Sequence, residues 1–164
     1  MPSTQRTLRL PAIASVAIVA LLVLGSAPAF ADAVSTSVAN QINALRVKRG
    51  LHPLAVDGRL IHAARWQSGS MLARQSLSHG RPDGRARLTR LCSEMHARTV
   101  GETIGWIRYR GAAAQAAGIV RWWMNSPPHR AALMSSTFNR IGVGRKVGHF
   151  GGRKVVWFTA DMSG

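Results

Sequence analysis

The chain has 164 residues and carries 22 Lys and Arg against 6 Asp and Glu, a formal net charge of +16. Its single cysteine, Cys92, excludes an intramolecular disulfide, so the fold must depend on packing alone. The cations are spread along the chain without a nucleic-acid-binding motif, which argues against a specific nucleic-acid function. The charge favours anionic lipid headgroups or acidic cell-envelope polymers as partners, although a general bias toward arginine explains it equally well.

Residues 1–31 have the pattern of a secretory signal peptide. Arg6 and Arg9 precede a twelve-residue apolar run, and Ala29-Phe30-Ala31 places small residues where a signal peptidase needs them. A membrane anchor is the alternative, but the run is shorter than the roughly 20 residues that span a bilayer. We expect cleavage before Asp32 and a secreted or extracellular protein, with the periplasm also open, that has no transmembrane span after cleavage.

Residues 32–164 have the size of one domain with one core. Arg6 and Arg9 account for two of the charges, so this part carries +14. We expect a monomer, with Cys92 as a small buried residue; pairing of Cys92 with another chain is the alternative.

The first half of this domain is predicted to be mainly helical. Apolar residues from Val34 to Leu45 recur at helical spacing, and Gly50 stands where a helix ends in a left-handed turn. Pro53 keeps the next segment extended, and Asp57 is predicted to cap a second helix. A polar turn follows at Arg81-Pro82-Asp83-Gly84, and then a short helical piece over residues 87–95.

The second half is predicted to alternate between strands and helices. Residues 102–107 have the composition of a strand, and residues 112–125 form an alanine-rich helix. Trp122 and Trp123 point about 100° apart on that helix, so one is expected in the core and the other beside a groove. Strands at 141–144 and 155–159 flank a Gly-rich reversal at 148–152, which indicates a hairpin. No βαβ period appears, and an antiparallel sheet with packed helices is favoured.

Ser126, followed by Pro127 and Pro128, has the pattern of a helix start whose first turn is capped by the serine oxygen. His129 then becomes the third residue of the helix, where unpaired N–H groups and the helix dipole disfavour an imidazolium. A neutral histidine there could be a metal ligand, a base or a hydrogen-bonding partner. It could equally serve only to seal the helix corner.

Several short motifs together resemble the CAP superfamily, which takes in cysteine-rich secretory proteins, antigen 5 and plant pathogenesis-related proteins. The resemblance extends over nearly all of residues 38–162 and is greatest to compact secreted bacterial members. It is carried by the joint order of Asn43-x-x-Arg46, Gly50-Leu51-x-Pro53-Leu54, Asp57-x-x-Leu60, Ser78-His79, Gly101-Glu102-Thr103-Ile104, Trp123-x-x-Ser126-Pro127-x-His129-Arg130 and Ile141-Gly142-Val143-Gly144.

The resemblance implies an α+β fold, a three-layer α-β-α sandwich with a central antiparallel sheet. It also implies a central cleft with two histidines and acidic groups, at the matching positions His79, Glu102 and His129. Ser126 stands where many members have a second glutamate, so this carboxylate is missing. His96, His149 and Asp161 are predicted to be loop or surface residues outside the cleft.

The three cleft residues are candidate ligands for a divalent metal such as zinc, and also candidate catalytic acid and base groups. The alternative is structural: Glu102 accepts hydrogen bonds from one or both histidines and joins the sheet to the helices. Sequence alone leaves open whether the protein is an enzyme.

The first functional hypothesis is a ligand-binding module for a lipid or cell-envelope component, the ligand class being implied by the resemblance. Trp106, Trp122, Trp123 and Ser126 are its candidate binding residues. The alternative is a metal-assisted hydrolase of peptide or envelope polymers. A protein-interaction effector is a third hypothesis.

Overall fold

The computed structural model describes residues 32–80 and 84–164, without the side chains of residues 84–86. The predicted signal peptide and residues 81–83 of the predicted turn lie outside the described residues. The described helices are α1 (Ala33–Val47), α2 (Gly58–Arg74), α3 (Gly84–Glu94), α4 (Ala112–Asn125) and α5 (Pro127–Leu133), and the strands are β1 (Ala55–Val56), β2 (Val100–Arg108), β3 (Arg140–Phe150) and β4 (Arg153–Ser163).

The sheet has the strand order β1-β3-β4-β2. β4 pairs antiparallel with both β3 and β2, which confirms the predicted antiparallel sheet. The two-residue strand β1 adds one short parallel pairing to β3 that the sequence did not indicate. In the β2–β4 register, Glu102 lies directly opposite Asp161, and Trp106 lies opposite Trp157. Because β2 is the last strand in the order, it forms an edge of the sheet.

Helices cover both faces of this sheet, as the predicted sandwich requires. α2 packs against β3 and β4 on one face. α3 lies beside α2, and Leu60, Leu91 and Met95 form a buried cluster between them. α1 and α4 pack against each other on the opposite face, over a core that includes Ile42 and Trp123. We call these the α2–α3 layer and the α1–α4 layer. α5 follows α4 directly and contacts β2.

Two glycines of β3 allow α2 to lie against the sheet backbone. A Cβ atom on Gly142 would fall 2.1 Å from the backbone nitrogen of Ile61, and one on Gly144 would fall 2.1 Å from that of Arg65. Both distances are far inside van der Waals contact, so no side chain fits at either position. The Gly-x-Gly spacing follows from the two-residue period of a strand, which places both glycines on the same face.

The predicted helix boundaries are confirmed where a side chain or a glycine sets them. Asp57 accepts a hydrogen bond from the backbone N–H of Arg59, as predicted. Asp32 caps α1 in the same way, through the N–H groups of Val34 and Ser35, which the sequence analysis did not predict. Gly50 has a φ of +72°, the left-handed conformation expected after a helix. The helix start predicted at Ser126 is confirmed, because α5 begins at Pro127, but the predicted cap is wrong: the Ser126 side chain makes no capping hydrogen bond.

The C-terminal hairpin is longer than predicted. The strands continue to Phe150 and resume at Arg153, so only Gly151 and Gly152 form the turn. Their φ values of +54° and +73° match a two-residue turn that needs positive φ at both central positions. The outer part of β3 was missed because its Arg145 and Lys146 interrupt the apolar pattern.

Candidate functional site

The candidate site lies at the β2 edge of the sheet, where α3, α4 and α5 all contact β2. Each of its parts is held by a different element. His79 follows α2, and Gln67 of that helix holds the segment by donating from Nε2 to the Ser78 carbonyl at 2.9 Å. Glu102 extends from β2, and His129 is the third residue of α5 as predicted. We call this place the cleft.

His79 and Glu102 are brought into direct contact. His79 Nδ1 lies 2.9 Å from Glu102 Oε1, within hydrogen-bond distance. The His79 side chain is 58% exposed, whereas that of Glu102 is 1% exposed. The hydrogen bond with Glu102, opposed in part by burial, raises the pKa of His79 above its usual value. The pair therefore presents a solvent-accessible imidazole oriented by a buried carboxylate.

The cleft contains a second carboxylate that the sequence prediction placed elsewhere. Asp161 of β4 is fully buried opposite Glu102, so its treatment as a loop or surface residue was wrong. The resemblance places the second acid of many members at the position of Ser126, between α4 and α5. The second acid comes instead from the neighbouring strand, where the β2–β4 register places it opposite Glu102.

Arg87 of α3 joins the two carboxylates, although its sequence context gives it no distinguishing motif. Its guanidinium donates to both oxygens of Asp161, at 3.1 and 2.9 Å, and to Glu102 Oε2. Burial raises the pKa of Asp161 to about 7, since the effect of the nearby Glu102 carboxylate adds to that of burial and Arg87 offsets only part of it. Arg87 thus offsets part of the cost of burying two acids side by side.

His129 approaches the cleft without joining this network. Among the described residues no hydrogen bond or ion pair connects it to Glu102, and its buried Nδ1 lacks a partner. Burial lowers the pKa of His129, and the charge of His79 lowers it further. The predicted neutral imidazole is supported, for reasons other than the helix dipole. Its ring lies 5.1 Å from that of Trp122, centroid to centroid.

The cleft residues do not fit the predicted metal site. Within residues 32–80 and 84–164, no group of three His, Cys, Asp or Glu side chains is arranged to hold a metal ion. Glu102 already contacts His79 with one oxygen and Arg87 with the other. A divalent ion between Glu102 and Asp161 would meet a permanent positive charge there. His79 and Glu102 come together, but His129 does not complete a ligand set with them.

The four candidate ligand-binding residues separate in the structure. Trp123 is fully buried and donates from Nε1 to the Ile104 carbonyl at 2.9 Å, so it cannot line a surface groove. Trp106 faces the α2–α3 layer, where it packs on Phe150 and Trp157. Trp122 is 41% exposed beside the cleft, which confirms that one of the tryptophan pair enters the core and the other does not. Ser126 is half-buried.

A cationic groove runs beside Trp122, between α4 and the end of β2. It has a volume of about 600 Å³, and Arg108, Arg110 and Arg121 line it together with Trp122. None of its described lining residues is an Asp or Glu. Trp122 can lie against β2 because Gly105 has no side chain: a Cβ there would be 2.8 Å from the indole. We call this the Trp122 groove.

A larger groove lies along α2, with a volume of about 1270 Å³. Trp66, 59% exposed, lines it. Its lining mixes acids, Asp57 and Glu94, with cations, so it lacks the single sign of charge of the Trp122 groove. His129, whose ring lies against Trp122, is not among the residues that line this groove.

Comparison with known proteins gives one family match and several structural neighbours. The model for the CAP cysteine-rich secretory protein family matches residues 39–162. The uncharacterized protein YkwD of Bacillus subtilis (strain 168) is 32% identical over 120 residues, which cover 73% of this chain and 45% of that protein. The chain thus spans about half the length of that curated relative.

Solved structures share the fold at lower identity. An extracellular protein containing an SCP domain from Bacillus anthracis str. Ames has a TM-score of 0.63 at 22% identity, over 79% of this chain and 40% of that one. An outer surface protein of Borrelia burgdorferi has a TM-score of 0.60 at 17% identity, over 79% of this chain and 92% of that one. These neighbours support the sandwich architecture.

Proposed function

The chain belongs to the CAP family of cysteine-rich secretory proteins, and on that premise we propose that it is an exported binding module that holds an anionic lipid in the Trp122 groove. The lipid headgroup would contact the arginines, and the indole would contact its apolar part. The observation that carries this proposal is the coincidence of an exposed tryptophan with three arginines in one groove, with no acid among the described residues that line it.

Export is supported by the signal-peptide pattern of residues 1–31 and by the names of the neighbours, an extracellular protein and an outer surface protein. No helix among the described residues is long and apolar enough to cross a membrane. Cleavage before Asp32 would retain the residue that caps α1 and that pairs with Arg145 at 2.8 Å. We therefore expect the exported protein to begin at Asp32, which mass spectrometry would test.

The chemistry of the groove suits an anionic headgroup. Arginine donates in a planar fork that matches phosphate oxygens, and each cation near an anionic membrane surface contributes about 1 kcal/mol. Tryptophan combines a large apolar area with one N–H donor, which suits the boundary between headgroup and acyl chain. The contact between the Trp122 and His129 rings joins this groove to the cleft.

Sedimentation with vesicles tests the proposal. We expect binding to vesicles that contain phosphatidylglycerol and none to pure phosphatidylcholine. Trp122→Ala should abolish most binding, and Arg121→Gln should weaken it about fivefold, the equivalent of about 1 kcal/mol. The matched controls are Trp66→Ala, an exposed tryptophan on α2, and Arg153→Gln, an exposed arginine outside the groove. Equal losses in variants and controls would indicate nonspecific adsorption and contradict the proposal.

A hydrolytic function is the second candidate, because His79 is exposed and oriented by a buried carboxylate. Such a pair can act as a general base toward water without a metal. If so, purified cell-wall sacculi should release soluble fragments, and either His79→Gln or Glu102→Gln should abolish the release. Unchanged release in both variants, or loss of release with a chelator alone, would argue against a metal-free general base.

A further inference from the structure

The buried side of the cleft contains an arrangement that the family resemblance did not imply. Glu102 and Asp161 face each other across neighbouring strands, and the guanidinium of Arg87 lies between their carboxyl groups. The Arg87 side chain is 13% exposed. We propose that Arg87 is a built-in cation that replaces a divalent metal ion in this cleft and keeps such ions out of it.

The two buried acids need a positive charge beside them. Two carboxyl groups buried side by side are costly to ionise unless a cation or hydrogen-bond donors compensate them. Both Asp161 oxygens and one Glu102 oxygen accept hydrogen bonds from Arg87. A planar guanidinium can donate hydrogen bonds to two carboxylates at once, which a lysine ammonium does less well. Arg87 therefore supplies the compensation that a bound metal ion would otherwise give.

Arg87 also occupies the oxygen atoms that a metal ion would need as ligands. Zinc sites need three or four His, Cys, Asp or Glu side chains that point at one centre. Here the Arg87 contacts and the hydrogen bond to His79 already use the inward oxygens of both acids. A divalent ion would also be repelled by the guanidinium at close range, in a site that water screens poorly. The cleft can take up a metal only if Arg87 is removed.

Zinc titration of purified protein tests this inference separately from the lipid proposal, because it requires no lipid. We expect wild type to bind no stoichiometric zinc at the cleft. Arg87→Met should bind one zinc ion per chain at least about tenfold more tightly than wild type, since a like charge is removed and ligand oxygens are freed. Adding His79→Gln to Arg87→Met should remove the gain, which would locate the ion in the cleft.

Arg90→Met is the matched control, because Arg90 is an exposed arginine of the same helix. It should not change zinc affinity. A folded Arg87→Met that binds zinc no better than Arg90→Met would overturn the inference.

NMR of the wild-type histidines decides the question even if Arg87→Met does not fold. Ring signals of His79 that are unmoved by one equivalent of zinc support the inference. A shift of those signals that saturates at one equivalent would overturn it.

Discussion

At the scale of single residues, the two histidines near the cleft are expected to titrate in opposite directions. NMR titration should place the pKa of His79 above 6.5, because of the Glu102 hydrogen bond, and that of His129 below 6.5, because of burial. Glu102→Gln should lower the pKa of His79 toward the ordinary value, since the carboxylate charge is lost. The control Glu94→Gln removes an exposed acid of α3 and should leave His79 unchanged. An unshifted His79 in wild type would contradict the observed contact.

The same contact predicts a pH dependence of stability. A raised pKa in the folded state means that the protonated histidine favours folding, so its contribution is fully present below about pH 6.5. It is lost as the pH rises through the folded-state pKa. In urea unfolding, the advantage of wild type over His79→Gln should therefore be larger at acidic than at alkaline pH. An advantage that grows with pH would have the wrong sign.

At the scale of secondary structure, the stability of the sandwich depends on how closely α2 approaches β3. Gly144→Ala would place a methyl group 2.1 Å from the Arg65 backbone nitrogen, and backbone cannot rotate away as a side chain can. We expect a loss of about 3 kcal/mol or more in the free energy of unfolding, at or above the upper end of overpacking costs. Urea denaturation at a fixed pH measures it.

Gly69→Ala is the matched control for this substitution, at the same helix–sheet contact. Its added Cβ would lie 3.6 Å from a Lys146 side-chain carbon, an ordinary contact. Alanine also favours a helix interior by up to about 1 kcal/mol over glycine. Gly69→Ala should therefore be neutral or stabilising. Similar losses in both variants would show that the close approach at Gly144 is not the cause.

The elements that local chemistry specifies were predicted well. Asp57 and Gly50 act within a few residues of themselves, so sequence alone located the helix boundaries they set. The extent of β3 was not predictable in this way, because its outer residues include Arg145 and Lys146 and lack an apolar period. The β1–β3 pair contains two residues per strand, too few to leave a pattern.

At the scale of the whole molecule, the cleft was predicted only as far as the resemblance extended. The resemblance indicated His79, Glu102 and His129 as cleft residues, and the structure brings His79 and Glu102 into contact. Arg87 and Asp161 were missed because their roles depend on the β2–β4 register and on the docking of α3, both long-range properties. The sequence offered one signal for Asp161: it follows the largely apolar run Trp157-Phe158-Thr159-Ala160. An acid in a buried strand needs a partner, since an unpaired carboxylate is rarely buried.

The distribution of charge gives a prediction for the whole protein. Four of the five acids that the structure describes lie against arginines: Asp32 against Arg145, Asp57 against Arg59, and Glu102 and Asp161 against Arg87. The net charge of +14 on residues 32–164 therefore leaves an excess of surface cations that repel one another. Sodium chloride should relieve that repulsion, because the screening length falls from about 30 Å at 0.01 M to about 8 Å at 0.15 M.

The melting temperature should accordingly rise by several degrees over this range, whereas binding to anionic vesicles should weaken, since the same screening acts on both. Scanning calorimetry and vesicle sedimentation measure the two effects. A variant with Arg98→Gln and Arg153→Gln, both exposed and outside the Trp122 groove, should melt at a higher temperature than wild type at low salt and respond less to added salt. A melting temperature that is flat or falls with salt would mean that local pairing, and not net charge, governs the electrostatics of the folded chain.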